Sequence, residues 1–273
     1  MKEKKNKKLI VFIIILFIFA GIFMLSRYYF TTGLVVKEYK IKDKKLPSNF
    51  HGMKIIHISD LYYGNTTFIN DLNEIKKNVN IYKPDIIVFT GDLIGKDDNK
   101  GHVKKFLSEL NASIEKIAIY GNNDYNYDYE SIMLSGGFKV LKNDCQYIYK
   151  DDLTPINICG FESSIKGNEN YAVLNNEEYK NYYNIVLNHE PDQISRLSEY
   201  KINLMLAGHS LNGQIKIPFV GGIIPKEDAK LYFDDYYKVN NTLLYISGGI
   251  GTSKYPYRFL NKPSINLYRF YSK

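Results

Sequence analysis

Two cysteines, Cys145 and Cys159, are all the thiols in a chain of 273 residues, too few for any cysteine-based zinc motif. Cys159 lies in the apolar run Ile156 to Phe161, the setting of a buried, unreactive thiol. The expectation is therefore two free structural cysteines, with a disulfide as the alternative if the domain sits outside the cell. Internal repeats and low-complexity linkers are also missing, which argues against a solenoid or a string of tethered modules. Beyond residue 45 there is no excess of positive charge either. Residues 1–45 hold 11 Lys and Arg against 3 Asp and Glu, while the whole chain holds 36 against 29, so the basic balance belongs to the amino-terminal segment. The remainder is close to neutral, and nothing in its charge suggests a nucleic-acid partner.

What is present begins with a membrane-type signal. The first eight residues carry five Lys, and Leu9 to Leu25 is an unbroken apolar run. With Arg27 able to snorkel and Tyr28, Tyr29 and Phe30 suited to an interface, residues 9–30 read as a single transmembrane span. No small-x-small cleavage site and no lipobox cysteine follows it, so the segment reads as an uncleaved anchor. The positive-inside rule places the basic tail, residues 1–8, in the cytoplasm and the folded part, residues 50–273, outside the cell membrane. Between them, residues 31–49 read as a basic juxtamembrane linker lying on anionic headgroups.

The folded part is organised around five apolar runs that each end in a carboxylate, an amide or an imidazole. They are Ile55 to Asp60, Ile86 to Asp92, Ile117 to Asp124, Ile185 to His189 and Leu204 to His209. Strands that deliver such groups at their carboxyl ends, followed by tight turns, place them together along one edge of a sheet, the usual position for a metal cluster in α/β enzymes. Amphipathic stretches at Ile69 to Val79, Val103 to Leu110 and Tyr127 to Leu134 alternate with the first strands. Later segments, near Ile156, Ile185, Ile202, Gln214 to Ile217, Leu243 to Ser247 and Ile265 to Phe270, read mainly as strands. Alternation followed by strands indicates an α/β or α+β sandwich.

In order, Asp60, Gly91-Asp92, Gly121-Asn122-Asn123-Asp124, His189 and Gly208-His209-Ser210-Leu211 resemble the D-x-H, GD, GNH(D/E), H and GHxH motifs of the calcineurin-like metallophosphoesterases. The flanks around Leu187 to Asp192, Gly213 to Pro218 and Gly249 to Ser253 look like that family's membrane-anchored bacterial branch. The resemblance spans about residues 50–270. It implies a four-layer αββα sandwich, here preceded by a transmembrane helix, with two divalent ions at the strand ends. It also implies hydrolysis of a phosphoester or pyrophosphate, with a lipid or a nucleotide-linked envelope component as the substrate class suited to an anchored enzyme.

Three family histidines are replaced: the one in D-x-H is Tyr62, the one in GNH is Asn123, and the second of GHxH is Leu211. The resemblance assigns Asp92, Asn122, His189 and His209 to one ion and leaves the other only Asp60 and the shared Asp92. Two imidazoles, a carboxylate and an amide suit Mn, Fe or Zn better than Mg, and one bound ion is expected, with the family's two as the alternative. Asn123, Tyr62 and Asp124 are the candidates for the remaining catalytic roles, although an amide cannot transfer the proton a histidine would. A catalytically inactive phosphate- or lipid-binding relative is the competing reading. His57, His51 and His102 are expected to be structural or solvent-facing rather than ligands.

Overall fold

The computed structural model describes residues 2–96, 100–151, 153–224 and 226–273, with no account of the side chains of residues 2, 3 and 5. It contains the helices α1 (Lys2–Met24), α2 (Ile69–Tyr82), α3 (Lys100–Glu109) and α4 (Tyr129–Ser135). The strands are β1 (Val35–Asp43), β2 (Lys54–Ile58), β3 (Ile86–Phe89), β4 (Glu115–Ala118), β5 (Lys139–Val140), β6 (Asp144–Ile148) and β7 (Ile156–Gly160). They continue as β8 (Tyr183–Leu187), β9 (Leu204–Ala207), β10 (Lys216–Ile217), β11 (Gly221–Gly222), β12 (Tyr236–Val239), β13 (Thr242–Ile246) and β14 (Ser264–Ser272).

Fully apolar strands need cover on both faces, and the two six-stranded sheets supply it to each other. One has the order β1-β14-β2-β3-β4-β5 and the other β12-β13-β9-β8-β7-β6. Ile55, Val88 and Ile117 from the first pack against Ile158, Ile185 and Leu206 from the second, all fully buried. Alternate residues of the first sheet, Ile56, Ile87 and Phe89, face Leu72, Ile75, Val103 and Met133 on α2, α3 and α4. The second sheet's outer face, with Val186, Met205 and Ile246, is covered by short 3₁₀ turns carrying Leu174, Ile194 and Leu197. The sandwich thus has four layers, the last built of 3₁₀ turns rather than long helices. The Asn-, Glu- and Lys-rich stretch 162–183 supplies part of that layer, and its composition is why no helical period appears in it.

The helix–strand boundaries follow from local chemistry. At the start of α2 the Asp71 carboxylate accepts the Phe68 N–H at 2.8 Å, and the helix ends at Lys83, which takes a left-handed φ of 47° just before Pro84. Helix α1 continues with a widened turn through Tyr29. The segment from Asn6 to Tyr29 is the one helix among the described residues long and apolar enough to cross a membrane, and its surface is almost entirely exposed.

Two expectations need correction. The stretch 31–49 is not simply a linker, because β1 pairs along its whole length with β14, from Val35 opposite Ser264 to Asp43 opposite Ser272. Its Lys residues hid it: this is an edge strand whose Glu38, Lys40 and Lys42 are exposed while Ile41 is buried. The cysteines are paired rather than free. Cys145 on β6 lies directly opposite Cys159 on β7 in an antiparallel pair, and a disulfide joins them. The register that brings two distant cysteines face to face is not visible in their spacing.

His57 is a core residue. Its Nε2 is 2.7 Å from Thr90 Oγ1 and its Nδ1 is 3.3 Å from the Tyr268 hydroxyl. Burial holds its imidazole down to about 3, so it is neutral.

Candidate metal centre

The carboxyl ends of β2, β3, β4, β8 and β9 converge on one edge of the sandwich. The loops leaving them are tightly bent: Asp60, Tyr62, Asp92, His209 and Leu211 all adopt positive φ, between 45° and 62°. Such conformations are unfavourable for residues with a Cβ, and their concentration at one place marks a functional edge. Close approach also demands glycine. A Cβ on Gly121 would lie 2.4 Å from Asp92 Oδ1 and 2.9 Å from the His189 ring, and one on Gly208 would lie 2.0 Å from Ser59 Oγ.

Asp92 is the centre of the arrangement and is fully buried. Its Oδ1 accepts the Asn123 N–H at 2.9 Å. Its Oδ2 accepts the Asn123 side-chain amide at 2.7 Å and the Tyr62 hydroxyl, and lies 3.3 Å from His189 Nε2. Burial opposes its ionisation, but His189, Tyr62 and Asn123 together hold it below the usual carboxylate range. The same burial would keep His189 neutral, yet the carboxylates of Asp92 and Asp60 push it up to about 10.

Four buried atoms around this carboxylate lack a hydrogen-bond partner among the described residues: Asp60 Oδ1, Asn122 Oδ1, His189 Nε2 and His209 Nδ1. The other ends of both imidazoles are tied down. His189 Nδ1–H donates to the Thr90 carbonyl at 2.5 Å, and His209 Nε2–H donates to the Glu227 carbonyl at 2.8 Å. Each ring is therefore held with its other nitrogen turned inward, and once His189 gives up its proton that nitrogen carries the lone pair a metal ligand requires. The ligand atoms of Asp92, His189 and His209 all lie within 4.8 Å of one another. Orphaned buried acceptors are costly unless something cationic satisfies them, and a two-nitrogen, mixed-oxygen set fits a divalent transition ion.

The other half of the centre is different. Asp60 leaves Oδ1 without a partner, but its Oδ2 is occupied by the Ser59 hydroxyl at 2.6 Å and the His209 N–H at 2.9 Å. Tyr62 turns its hydroxyl to Asp92, and Leu211 is fully buried with no donor to offer. Two cations of the chain stand nearby. Lys226 donates to the His209 carbonyl, and its ammonium lies 5.8 Å from the centre of the Tyr62 ring. Arg258 is fully buried, donating to the carbonyls of Gly249 at 3.1 Å and Gly251 at 2.7 Å. Burial lowers both, but the Asp60 carboxylate works to keep each charged.

A cavity of about 500 Å³ opens over this centre, lined by Tyr62, Asn122, Asn123, His209 and Lys226, with Lys254 at its edge. Asp124 does not line it. Its carboxylate accepts the backbone N–H groups of Asp92 at 2.7 Å, Leu93 at 3.0 Å and Gly121 at 2.8 Å, so it locks the β3 and β4 loops together from behind. Burial and the neighbouring Asp92 push it up to about 7. In this arrangement the Asp124 carboxylate holds the loops that carry Asp92 and Asn123. Lys226 and Arg258 escape the sequence reading because each sits on a loop without periodicity, far along the chain from the strand ends.

Comparison with known proteins agrees with this geometry. Residues 53–213 match the family of the calcineurin-like phosphoesterases. The chain is 35% identical to YkuE of Bacillus subtilis, a metallophosphoesterase, over 89% of this chain and 87% of that one. It is 27% identical to LpxG of Chlamydia muridarum, a UDP-2,3-diacylglucosamine pyrophosphatase, over 83% of this chain and 87% of that one. A metallophosphoesterase of Aquifex aeolicus is 29% identical, over 86% of this chain and 91% of its own length.

Purified protein loaded with Mn, Fe or Zn is expected to retain about one ion per chain through dialysis. His189→Ala and His209→Ala should each abolish retention, while His57→Ala should not. Elemental analysis reads the outcome, and two ions retained per chain would contradict the assignment.

Proposed function

The chain belongs to the calcineurin-like phosphoesterase family, and on that premise we propose that it is a membrane-anchored, metal-dependent phosphoesterase in which one ion does the work and protein cations replace the other. The observation that carries this reading is the set of orphaned atoms of Asn122, His189 and His209 beside Asp92, next to a cavity whose lining includes Asn122, His209, Tyr62, Asn123 and Lys226. Asp92, Asn122, His189 and His209 would hold the ion. When bound there, a divalent ion supplies Lewis acidity toward a phosphoryl oxygen and lowers the pKa of a water.

The rest falls to the chain's own residues. The Lys226 ammonium, fixed on the His209 carbonyl, is placed to pair with a phosphate oxygen entering the cavity, and Lys254 extends the positive charge to the mouth. Tyr62 and Asn123 both spend donors on Asp92 Oδ2, neutralising the carboxylate face that would otherwise meet a second cation. Tyr62 keeps its proton, because burial and the adjacent carboxylates raise its hydroxyl well above its ordinary value. Neither Tyr62 nor Asn123 replaces a histidine as a ready proton donor to a leaving group, a role worth about 10²- to 10⁴-fold. That shortfall favours a slow enzyme. It also gives substance to the second reading, a phosphate- or lipid-binding module without turnover.

The substrate class is a phosphoester or pyrophosphate carried by a lipid or a nucleotide-linked envelope component. The LpxG relatives, named for hydrolysing a pyrophosphate on a diacylated sugar nucleotide, and the apolar amino-terminal helix support it. By the positive-inside rule, the Lys-rich amino terminus supports a cytoplasmic tail and a domain outside the cell membrane. Protease added to intact cells should then digest the domain, and protection until lysis would contradict this topology.

Generic aryl phosphodiesters should turn over very slowly or not at all. Tyr62→His, Asn123→His and Leu211→His combined should bring in a second ion and measurable hydrolysis, because each change returns a donor to a position where the family has one. Lys226→Met should weaken inorganic phosphate binding without releasing the ion, and Lys226→Arg should largely preserve it. Rapid metal-dependent hydrolysis by the unmodified protein, lost in His209→Ala, would overturn the one-ion account.

A further inference from the structure

Just after Leu211 the chain leaves the metal centre, makes the short hairpin β10–β11, and returns to the cavity at Lys226. The hairpin exposes Ile217, Phe219, Val220 and Ile223, and Phe219 at the tip is completely uncovered. Four large apolar side chains on one seven-residue turn make a patch that water should not be left to cover. The hairpin is held firmly. Its base packs backbone to backbone at Gly213 and Gly222, and Gln214 Nε2 donates to the carbonyls of Tyr255 at 2.7 Å and Tyr257 at 2.8 Å.

Those same loops grip the end of α1. The Phe23 and Tyr257 rings are 5.2 Å apart, as are those of Phe30 and Phe259, and the Arg258 N–H donates to the Ser26 carbonyl at 3.0 Å. Between helix and hairpin runs an apolar groove of about 850 Å³, lined by Leu16, Phe19 and Phe23 on one side and Ile215, Ile217 and Phe259 on the other. The helix side of this groove belongs to the apolar stretch from Asn6 to Tyr29. At about 1.5 Å per residue, Leu16 lies some 20 Å along the helix from Tyr29, well inside the hydrocarbon if the helix spans a bilayer. Whatever packs beside those residues is in hydrocarbon too. Exposed Tyr28 and Tyr29, with the Lys262 ammonium 4.0 Å from the Tyr29 ring, mark the headgroup level at the helix's end.

We propose that residues 215–223 are a second membrane contact, with the hairpin tip inserted among the acyl chains of the leaflet from which α1 emerges and the groove filled by those chains. The inference rests on α1 being a span, not on catalysis. Its consequence for the site is direct: His209 and Lys226 flank the inserted segment, so the cavity mouth lies at the headgroups, where a lipid presents its phosphate without leaving the bilayer.

The chain has no tryptophan, so single introduced tryptophans report position cleanly. Full-length Phe219→Trp, Phe17→Trp and Tyr149→Trp would be reconstituted in phosphatidylglycerol–phosphatidylcholine vesicles carrying brominated acyl chains. Tyr149 is exposed just after β6, at the end of the sheet opposite the metal centre. Emission at positions 17 and 219 should be largely lost to the brominated lipid, while position 149 should respond only to aqueous iodide. Quenching at 17 with position 219 open to iodide would overturn the second contact and leave the span standing. No quenching at 17 or 219 would overturn both. Val220→Trp, on the same exposed turn, should reproduce the result for 219, and its failure to do so would count against the contact.

Discussion

A buried carboxylate must be surrounded by donors or cations, and in this protein that requirement falls on Asp92. The loops after β2, β4 and β8 answer to it. Asn123 gives it a backbone and a side-chain donor, Tyr62 gives a hydroxyl, and His189 approaches it with the nitrogen left free by its bond to Thr90. Asp124 fixes the backbone of Asp92 itself, and Gly121 leaves room for its carboxylate. The left-handed backbone at Asp60, Tyr62 and Asp92 is the strained consequence of bringing the ends of β2 and β3 so close.

The two halves of the centre solve the charge problem differently. On one side the unpartnered atoms of Asn122, His189 and His209 are poised for an ion. On the other, hydroxyl, amide and ammonium groups do what a second ion would do for the charge, since Tyr62 and Asn123 cap Asp92 while Lys226 and Arg258 offset Asp60. These substitutes differ from a metal in one respect. On the proposed reading they would stabilise negative charge in place without acidifying a water, so recognition of phosphate would be better preserved than the ability to cleave its ester.

Much of this was legible in the sequence, for a physical reason. Buried strands must be continuously apolar, so a run such as Ile86 to Phe89 followed by Thr90-Gly91-Asp92 announces both the strand and the group at its end. Helices α2, α3 and α4 showed through their apolar spacing to within a few residues. What escaped depends on register or on distant loops. Strand β1 is disguised by outward Lys residues, the Cys145–Cys159 bond needs the β6–β7 pairing, and Lys226 reaches the cavity only because the hairpin before it folds back. The backbone N–H groups that Asp124 binds cannot be read from its motif position, because they come from the loop after β3 as well as its own.

The central claim is that one half of the centre binds an ion and the other is filled by protein. Anomalous diffraction from crystals soaked in manganese measures this directly. The account predicts one strong peak per chain, bounded by Asp92, Asn122, His189 Nε2 and His209 Nδ1, with no density between Asp60 and Tyr62. A second peak of comparable height beside Asp60, with Tyr62 swung away from Asp92, would contradict it.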